Sequence, residues 1–225
     1  MKFENKKVII FDLDGTLIDS STDLANAINH MLISMGREAF SLDEIHRWVG
    51  NGAQTLVRRA LSGSVEISDD INEKEFKASL ELFLNIYENN LTNRTVTYPD
   101  VNKTLQKLKE SGYKLVVVTN KPFKFVEPIL NDLLLKDYFE FYLGGDSLPE
   151  KKPSPAPLLH VCEKLNVTPE ACVMVGDSKN DILAAKACNM DSIGVTYGYN
   201  YGEHIKQYEP TLYYSSFAEI GKALC

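Results

Sequence analysis

Apolar residues recur along the chain with two periods, and the change between them divides it. Val8-Ile9-Ile10-Phe11 is a short unbroken apolar run ending at Asp12-Leu13-Asp14-Gly15-Thr16, the pattern of a buried strand that runs into a turn. From about Ser20 to about Asn90 the period is helical. Leu24, Ala27, Ile28, Met31, Leu32 and Met35 share one face, with Ser20 and Asp23 spaced as a capping box and Gly36 as the stop. Ser41 and Glu44 repeat the capping pattern ahead of Ile45, Trp48 and Val49, and the turn Gly50-Asn51-Gly52 separates these from Leu56, Val57, Ala60 and Leu61. A long helix follows, with Ile71, Phe76, Leu80, Phe83, Leu84 and Tyr87 on one side. Helices with no strand between them predict a small bundle.

From Pro99 onward helices and strands alternate, as a parallel sheet requires. Val101, Leu105 and Leu108 predict a helix ending at Gly112, and Lys114 to Thr119 a strand. A helix opened by Pro122, a strand at Phe141-Tyr142-Leu143, a helix from Pro155 to Leu165 and a strand at Cys172-Val173-Met174-Val175 come next. A helix from Asp181 to Ala187, strands at Ser192 to Thr196 and Leu212 to Tyr214, and a last helix from Phe217 complete the pattern. The expected fold is α/β: a Rossmann-like parallel sheet core, residues 1–18 and 93–225, interrupted by a helical-bundle cap, residues 19–92. The insertion follows the first strand directly, so the bundle is placed to act as a lid.

The chain has 225 residues, enough for such a core and a smaller second domain. No apolar stretch approaches the ~20 residues of a membrane helix. Met1-Lys2-Phe3-Glu4-Asn5-Lys6-Lys7 lacks the apolar segment and cleavage site of an export signal, so a soluble cytoplasmic protein is expected. A net charge of −7 works against nucleic acid or anionic membranes as partners. A monomer or small homo-oligomer is expected. Cys162, Cys172, Cys188 and Cys225 show no CxxC spacing and read as reduced, mostly buried thiols.

The candidate chemistry lies at four strand ends. Asp12 and Asp14 stand at the carboxyl edge of the first strand, where open α/β sheets keep their sites, and two carboxylates so close repel unless a cation or a proton is shared between them. Thr119-Asn120-Lys121-Pro122 offers a hydroxyl, an amide and a helix start suited to an anion. Lys152 offers an ammonium, and Gly176-Asp177-Ser178-Lys179-Asn180-Asp181 adds carboxylates. A phosphate ester with Mg²⁺ satisfies both halves: Asp12 and Asp177 as carboxylate ligands, the main-chain carbonyl of Asp14 as a third.

These segments resemble the four motifs of the haloacid dehalogenase superfamily, in its order and with the cap between the first and second. The resemblance implies that Asp12 is the nucleophile that forms an aspartyl phosphate, and that Asp14 protonates the leaving alkoxide and then activates water. It implies that Mg²⁺, Lys152, Thr119 and Asn120 offset the phosphate charge, while Asp181 orients Lys152 and the metal's surroundings. Dehalogenases lack the second aspartate, so Asp14 favours phosphoryl transfer. Within the superfamily the chain is similar to the phosphoglycolate phosphatase family at Trp48 to Ala53, Thr119 to Pro122, Gly144 to Pro149, Lys152 to Pro157 and Gly194 to Asn200. That similarity implies 2-phosphoglycolate as substrate. The turn Gly50, Asn51, Gly52 and Ala53 is the candidate contact for its carboxylate, with Arg58 and Arg59 as weaker candidates.

Asp-x-Asp-Gly alone also opens calcium loops, but Leu17 stands where such a loop needs glycine and no helix precedes it. Trp48 reads as core and Lys151 as a solvated charge. His30, His46, His160 and His204 have no partner at metal-ligand spacing. The alternatives are another sugar or nucleotide monophosphate as substrate, a phosphomutase, or a binding protein without catalysis.

Overall fold

The computed structural model describes residues 3–224. The readings made on Met1, Lys2 and Cys225 lie outside the described residues. Strand β1 (Val8–Phe11) is the centre of a six-stranded sheet with β4 (Lys114–Val118), β5 (Phe141–Leu143), β6 (Cys172–Gly176), β7 (Asp191–Val195) and β8 (Leu212–Tyr214), in the order β5-β4-β1-β6-β7-β8. Every pairing is parallel, with Val8 opposite both Lys114 and Cys172. The α/β fold expected from the sequence is the fold observed.

Alternation along the strands assigns residues to the two faces. Ile9, Phe11, Leu115, Val117, Val173 and Val175 enter one apolar cluster, built with helices α5 (Val101–Glu110), α6 (Phe123–Asp132) and α9 (Phe217–Leu224). Val8, Ile10, Val116, Val118, Cys172 and Met174 enter a second, built with α7 (Ala156–Leu165) and α8 (Lys179–Ala187). A sheet covered on both sides explains why its strands read as continuous apolar runs. Cys162, Cys172 and Cys188 are buried free thiols.

Helices α1 (Ser21–Ser34), α2 (Leu42–His46), α3 (Ala53–Ser62) and α4 (Glu73–Glu88) form the bundle. The chain enters it through β2 (Ile18–Asp19) and leaves through β3 (Val96–Thr97), which pair antiparallel as a short ribbon. Two-residue strands carry no detectable alternation, so no pattern of residues announces them. Trp48 is core, packed edge-on against Phe40. The capping box at Ser41 and Glu44 is present. The one expected at Ser20 and Asp23 is not: Ser20 makes no cap bond, and Asp23 is buried, accepting from the N–H groups of Arg94 and Thr95 and from the Thr95 hydroxyl, each at 2.8 Å. Both side chains found tertiary partners, so the cap gave way to a tie across the two chain crossings. No helix among the described residues is long and apolar enough to cross a membrane.

Candidate active site

Three strand ends converge where the strand order reverses, at the carboxyl edge around β1. Asp12 follows β1, Thr119 follows β4 and Asp177 follows β6, and all three are nearly dry. Gly15 makes the approach possible. Its φ of +84° lies in the left-handed region, and a Cβ there would sit 2.3 Å from an Asp177 carboxylate oxygen.

Carboxylate oxygens of Asp12, Asp177 and Asp181 lie within 4.8 Å of one another. Asp177 Oδ1 accepts from the Thr16 hydroxyl at 2.9 Å and Oδ2 from the Tyr199 N–H at 2.7 Å. Asp181 is committed on both oxygens: Oδ1 accepts from Lys152 Nζ at 2.6 Å, Oδ2 from the Ser178 N–H and hydroxyl in a capping box at the start of α8. Lys152 is thereby clamped. Its ammonium also forms an ion pair with Asp12 Oδ1 at 3.0 Å, and among the described residues no hydrogen bond closes on that oxygen. Burial foremost, and the neighbouring carboxylates after it, push Asp177 up to about 8. Burial likewise raises Asp12, to about 7, against the pull of Lys152.

This donor set fits a hard divalent cation. Asp12, Asp14, Asp177 and Asp181 face two buried ammoniums, Lys152 and Lys121. Two negative charges remain, the charge one such ion neutralises. The Asp14 carboxylate turns away from the triad, accepting from the Ser20 hydroxyl at 2.5 Å and from Lys121 Nζ at 2.9 Å.

Thr119 accepts from the Lys121 N–H at 3.2 Å. The Asn120 amide donates to the Lys152 carbonyl at 3.0 Å and the Gly50 carbonyl at 3.4 Å. The turn expected to face the substrate does cover the site: a cavity of about 40 Å³ is lined by Asp12, Asp14, Thr119 and Asn120 on one side and by Gly50, Gly52 and Ala53 on the other. At Gly52, φ is +84° and a Cβ would lie 2.7 Å from the Asn120 carbonyl, so cap and core approach too closely there for a side chain. Asn51 stands in the same turn. Every buried side-chain polar atom without a partner among the described residues is found around this cleft, on Asp12, Asn51, Tyr87 and Asn120. Orphaned polar atoms gathered in one place mark a site that awaits a ligand.

Other expectations change. Arg58 pairs with Glu73 and covers the Phe76 ring, and Arg59 donates to the Trp48 and Val65 carbonyls, so neither lines the cavity. Lys151 is half-buried rather than solvated and donates to the Asn51 carbonyl at 2.8 Å, tying core to cap. His46 lies edge-on to Tyr199. The sequence pattern assigned no place in the site to Lys121 or Tyr199, and to Ser20 only a helix cap. Lys121 had a signal, its place beside Thr119 and Asn120 at a strand end; the other two act through partners distant in the chain.

The parallel sheet, the inserted bundle and this cluster define a hydrolase. The chain matches the model of haloacid dehalogenase-like hydrolases over residues 9–195 and belongs to that family. It is 51% identical over 220 residues to the phosphoglycolate phosphatase of Colwellia psychrerythraea, covering 98% of this chain and 97% of that one. Its identity to the phosphoglycolate phosphatase of Psychrobacter arcticus is 49%, covering 96% and 94%. A crystal structure of a predicted phosphoglycolate phosphatase from Haemophilus somnus matches with a TM-score of 0.90 at 42% identity, covering 97% of each chain.

Proposed function

We propose that this enzyme hydrolyses 2-phosphoglycolate to glycolate and phosphate, with Mg²⁺ held by Asp12, Asp177 and the main-chain carbonyl of Asp14. The observation that carries the reading is the unpartnered Asp12 oxygen, buried beside Lys152 and facing a cavity of about 40 Å³. The space is that of a few waters, which suits a small leaving group. The high identity to phosphoglycolate phosphatases over nearly the full chain supports the same substrate.

Asp12 attacks phosphorus in line, the bond from phosphorus to the alcohol oxygen breaks, and an aspartyl phosphate forms. Asp14 delivers a proton to the departing oxygen and then takes one from the water that cleaves the intermediate. Such help is worth ~10²–10⁴-fold, because an alkoxide leaves poorly at neutral pH. Lys152, the Thr119 hydroxyl and the main-chain N–H of Asn120 hold the phosphoryl oxygens, and Asp181 keeps Lys152 in place. The turn Gly50, Asn51 and Gly52 closes over the leaving group and excludes water. Bound Mg²⁺ supplies positive charge against the carboxylate–phosphate repulsion.

The test is phosphate release from about fifty phosphomonoesters, with Mg²⁺ and with chelator, for wild type and Asp12→Asn. The expected result is at least tenfold preference for 2-phosphoglycolate in kcat/KM, dependence on the metal, and no turnover by the variant. A sugar or nucleotide monophosphate as best substrate overturns the assignment.

A further inference from the structure

The cavity holds two polar groups that the reaction above leaves unused. Lys121 follows β4 and its side chain is about as dry as that of Lys152, but its charge is met by one carboxylate instead of two. Nζ donates to Asp14 at 2.9 and 3.1 Å and otherwise lies beside the Tyr87 hydroxyl, in weak contact and with no closed hydrogen bond among the described residues. An ammonium has three donors, so capacity remains. Tyr87 lies on α4 with its ring stacked on Phe83 at 5.8 Å and edge-on to Phe125 at 5.2 Å, and its buried hydroxyl has no hydrogen-bond partner. The Lys121 ammonium lies 4.8 Å from the centre of that ring. Burial pushes the hydroxyl up to about 12, so it is a donor at neutral pH.

The other walls away from the reacting carboxylates include Leu24, Val49, Leu56, Phe83, Pro122 and Phe125. A dry cation and an unpaired hydroxyl among apolar side chains are costly unless something arrives to accept from both. A neutral alkyl group leaves the hydroxyl unpaired and Lys121 with Asp14 alone. A carboxylate has two oxygens with several lone pairs, small enough for this volume, and meets both donors at once.

We propose that Lys121 and the Tyr87 hydroxyl together form the receptor for a carboxylate on the leaving group, and that this pair selects phosphomonoesters of small 2-hydroxy acids. The inference rests on the phosphatase reading and adds the residues that read its substrate. The turn at Gly50 to Gly52 is fixed over the site through its carbonyls, Gly50 accepting from the Asn120 and Asn180 amides and Asn51 from Lys151.

The experiment compares kcat/KM for 2-phosphoglycolate, 2-phospholactate and ethyl phosphate, which matches glycolate in length but lacks the carboxylate, in wild type, Lys121→Gln and Tyr87→Phe. Tyr87→Phe keeps the ring packing and removes a hydroxyl that has no closed hydrogen bond among the described residues, so no bond of the fold is lost with it. Its preference for the carboxylated ester over ethyl phosphate is expected to fall about tenfold, and that of Lys121→Gln on the order of 100-fold. The ratio is the readout because any general damage to Asp14 or to the fold slows both substrates alike. Equal slowing of both by the two variants overturns the receptor while leaving the phosphatase reading intact. Preference for 2-phospholactate over 2-phosphoglycolate, lost in the same variants, overturns the substrate assignment while leaving the receptor intact. No preference in wild type for either carboxylated ester overturns both.

Discussion

Asp14 and Asp12 stand two residues apart, and the structure gives them opposite surroundings. Asp12 faces Asp177, Asp181 and Lys152, whereas Asp14 is turned toward Ser20 and Lys121. A strand end alternates its side chains, and the turn at Gly15 then brings both onto one cavity from different sides. Separate surroundings suit separate roles, nucleophile and proton carrier. Asp14→Asn keeps the shape of the side chain and its bond to Ser20 but removes the proton transfer. Hydrolysis of alkyl phosphates is expected to slow ~10²–10⁴-fold. p-Nitrophenyl phosphate, whose leaving group needs little protonation, is expected to slow less than tenfold, and steady-state rates on the two substrates check this. Asp12, Asp14, Asp177, Thr119 and Asn120 were legible in the sequence because they follow strands of strong period, and Lys152 through its place in the loop ahead of a helix. Lys121 was not, because a lysine near a helix start reads as solvated until the structure shows it dry.

Elements show the same division between local and distant causes. Ser41 and Glu44 cap α2 as their spacing predicts, since nothing else competes for them. Ser20 and Asp23 have the same spacing and do something else. Ser20 reaches Asp14, and Asp23 fastens the start of α1 to the returning chain at Arg94 and Thr95. The helix at motif four also starts earlier than its apolar pattern indicated, at Lys179 with Ser178 as cap. That shift matters. Asp181 thereby caps α8 and clamps Lys152 with the same carboxylate. The tie at Asp23 is where the bundle is fixed to the core, next to the ribbon of β2 and β3. Asp23→Ala leaves two N–H groups without their acceptor, the Thr95 hydroxyl keeping the Leu91 carbonyl, at a cost of about 2 kcal/mol. For a chain of this length the thermal midpoint is expected to fall by roughly 4–8 °C, measured by calorimetry. Asp43→Ala, at an exposed position on α2, is the matched comparison and is expected to change it by less than about 2 °C.

At the scale of the whole molecule, one site is assembled from segments at Asp12, Thr119, Lys152 and Asp177, which the sheet order brings together and no local pattern could. Their order along the chain was legible; how closely they pack was not. Packing decides the electrostatics. Asp12 and Asp177 are dry and near other carboxylates, so both titrate above their ordinary range, to about 7 and about 8. In the unfolded chain they titrate near 3.9. Without metal, the folded state therefore binds more protons than the unfolded one between about pH 4 and pH 8, and stability falls as pH rises through that window. A divalent cation replaces those protons, and it competes best where they are scarce. In chelator, the thermal midpoint is expected to drop by at least about 5 °C from pH 5 to pH 8.5, and the gain on adding millimolar Mg²⁺ is expected to grow over the same interval. Scanning calorimetry at several pH values reads both trends. A metal-free midpoint that stays level across the window, with a Mg²⁺ effect independent of pH, would mean that the two carboxylates do not share one ion, and the catalytic assignment built on their closeness would fall with it.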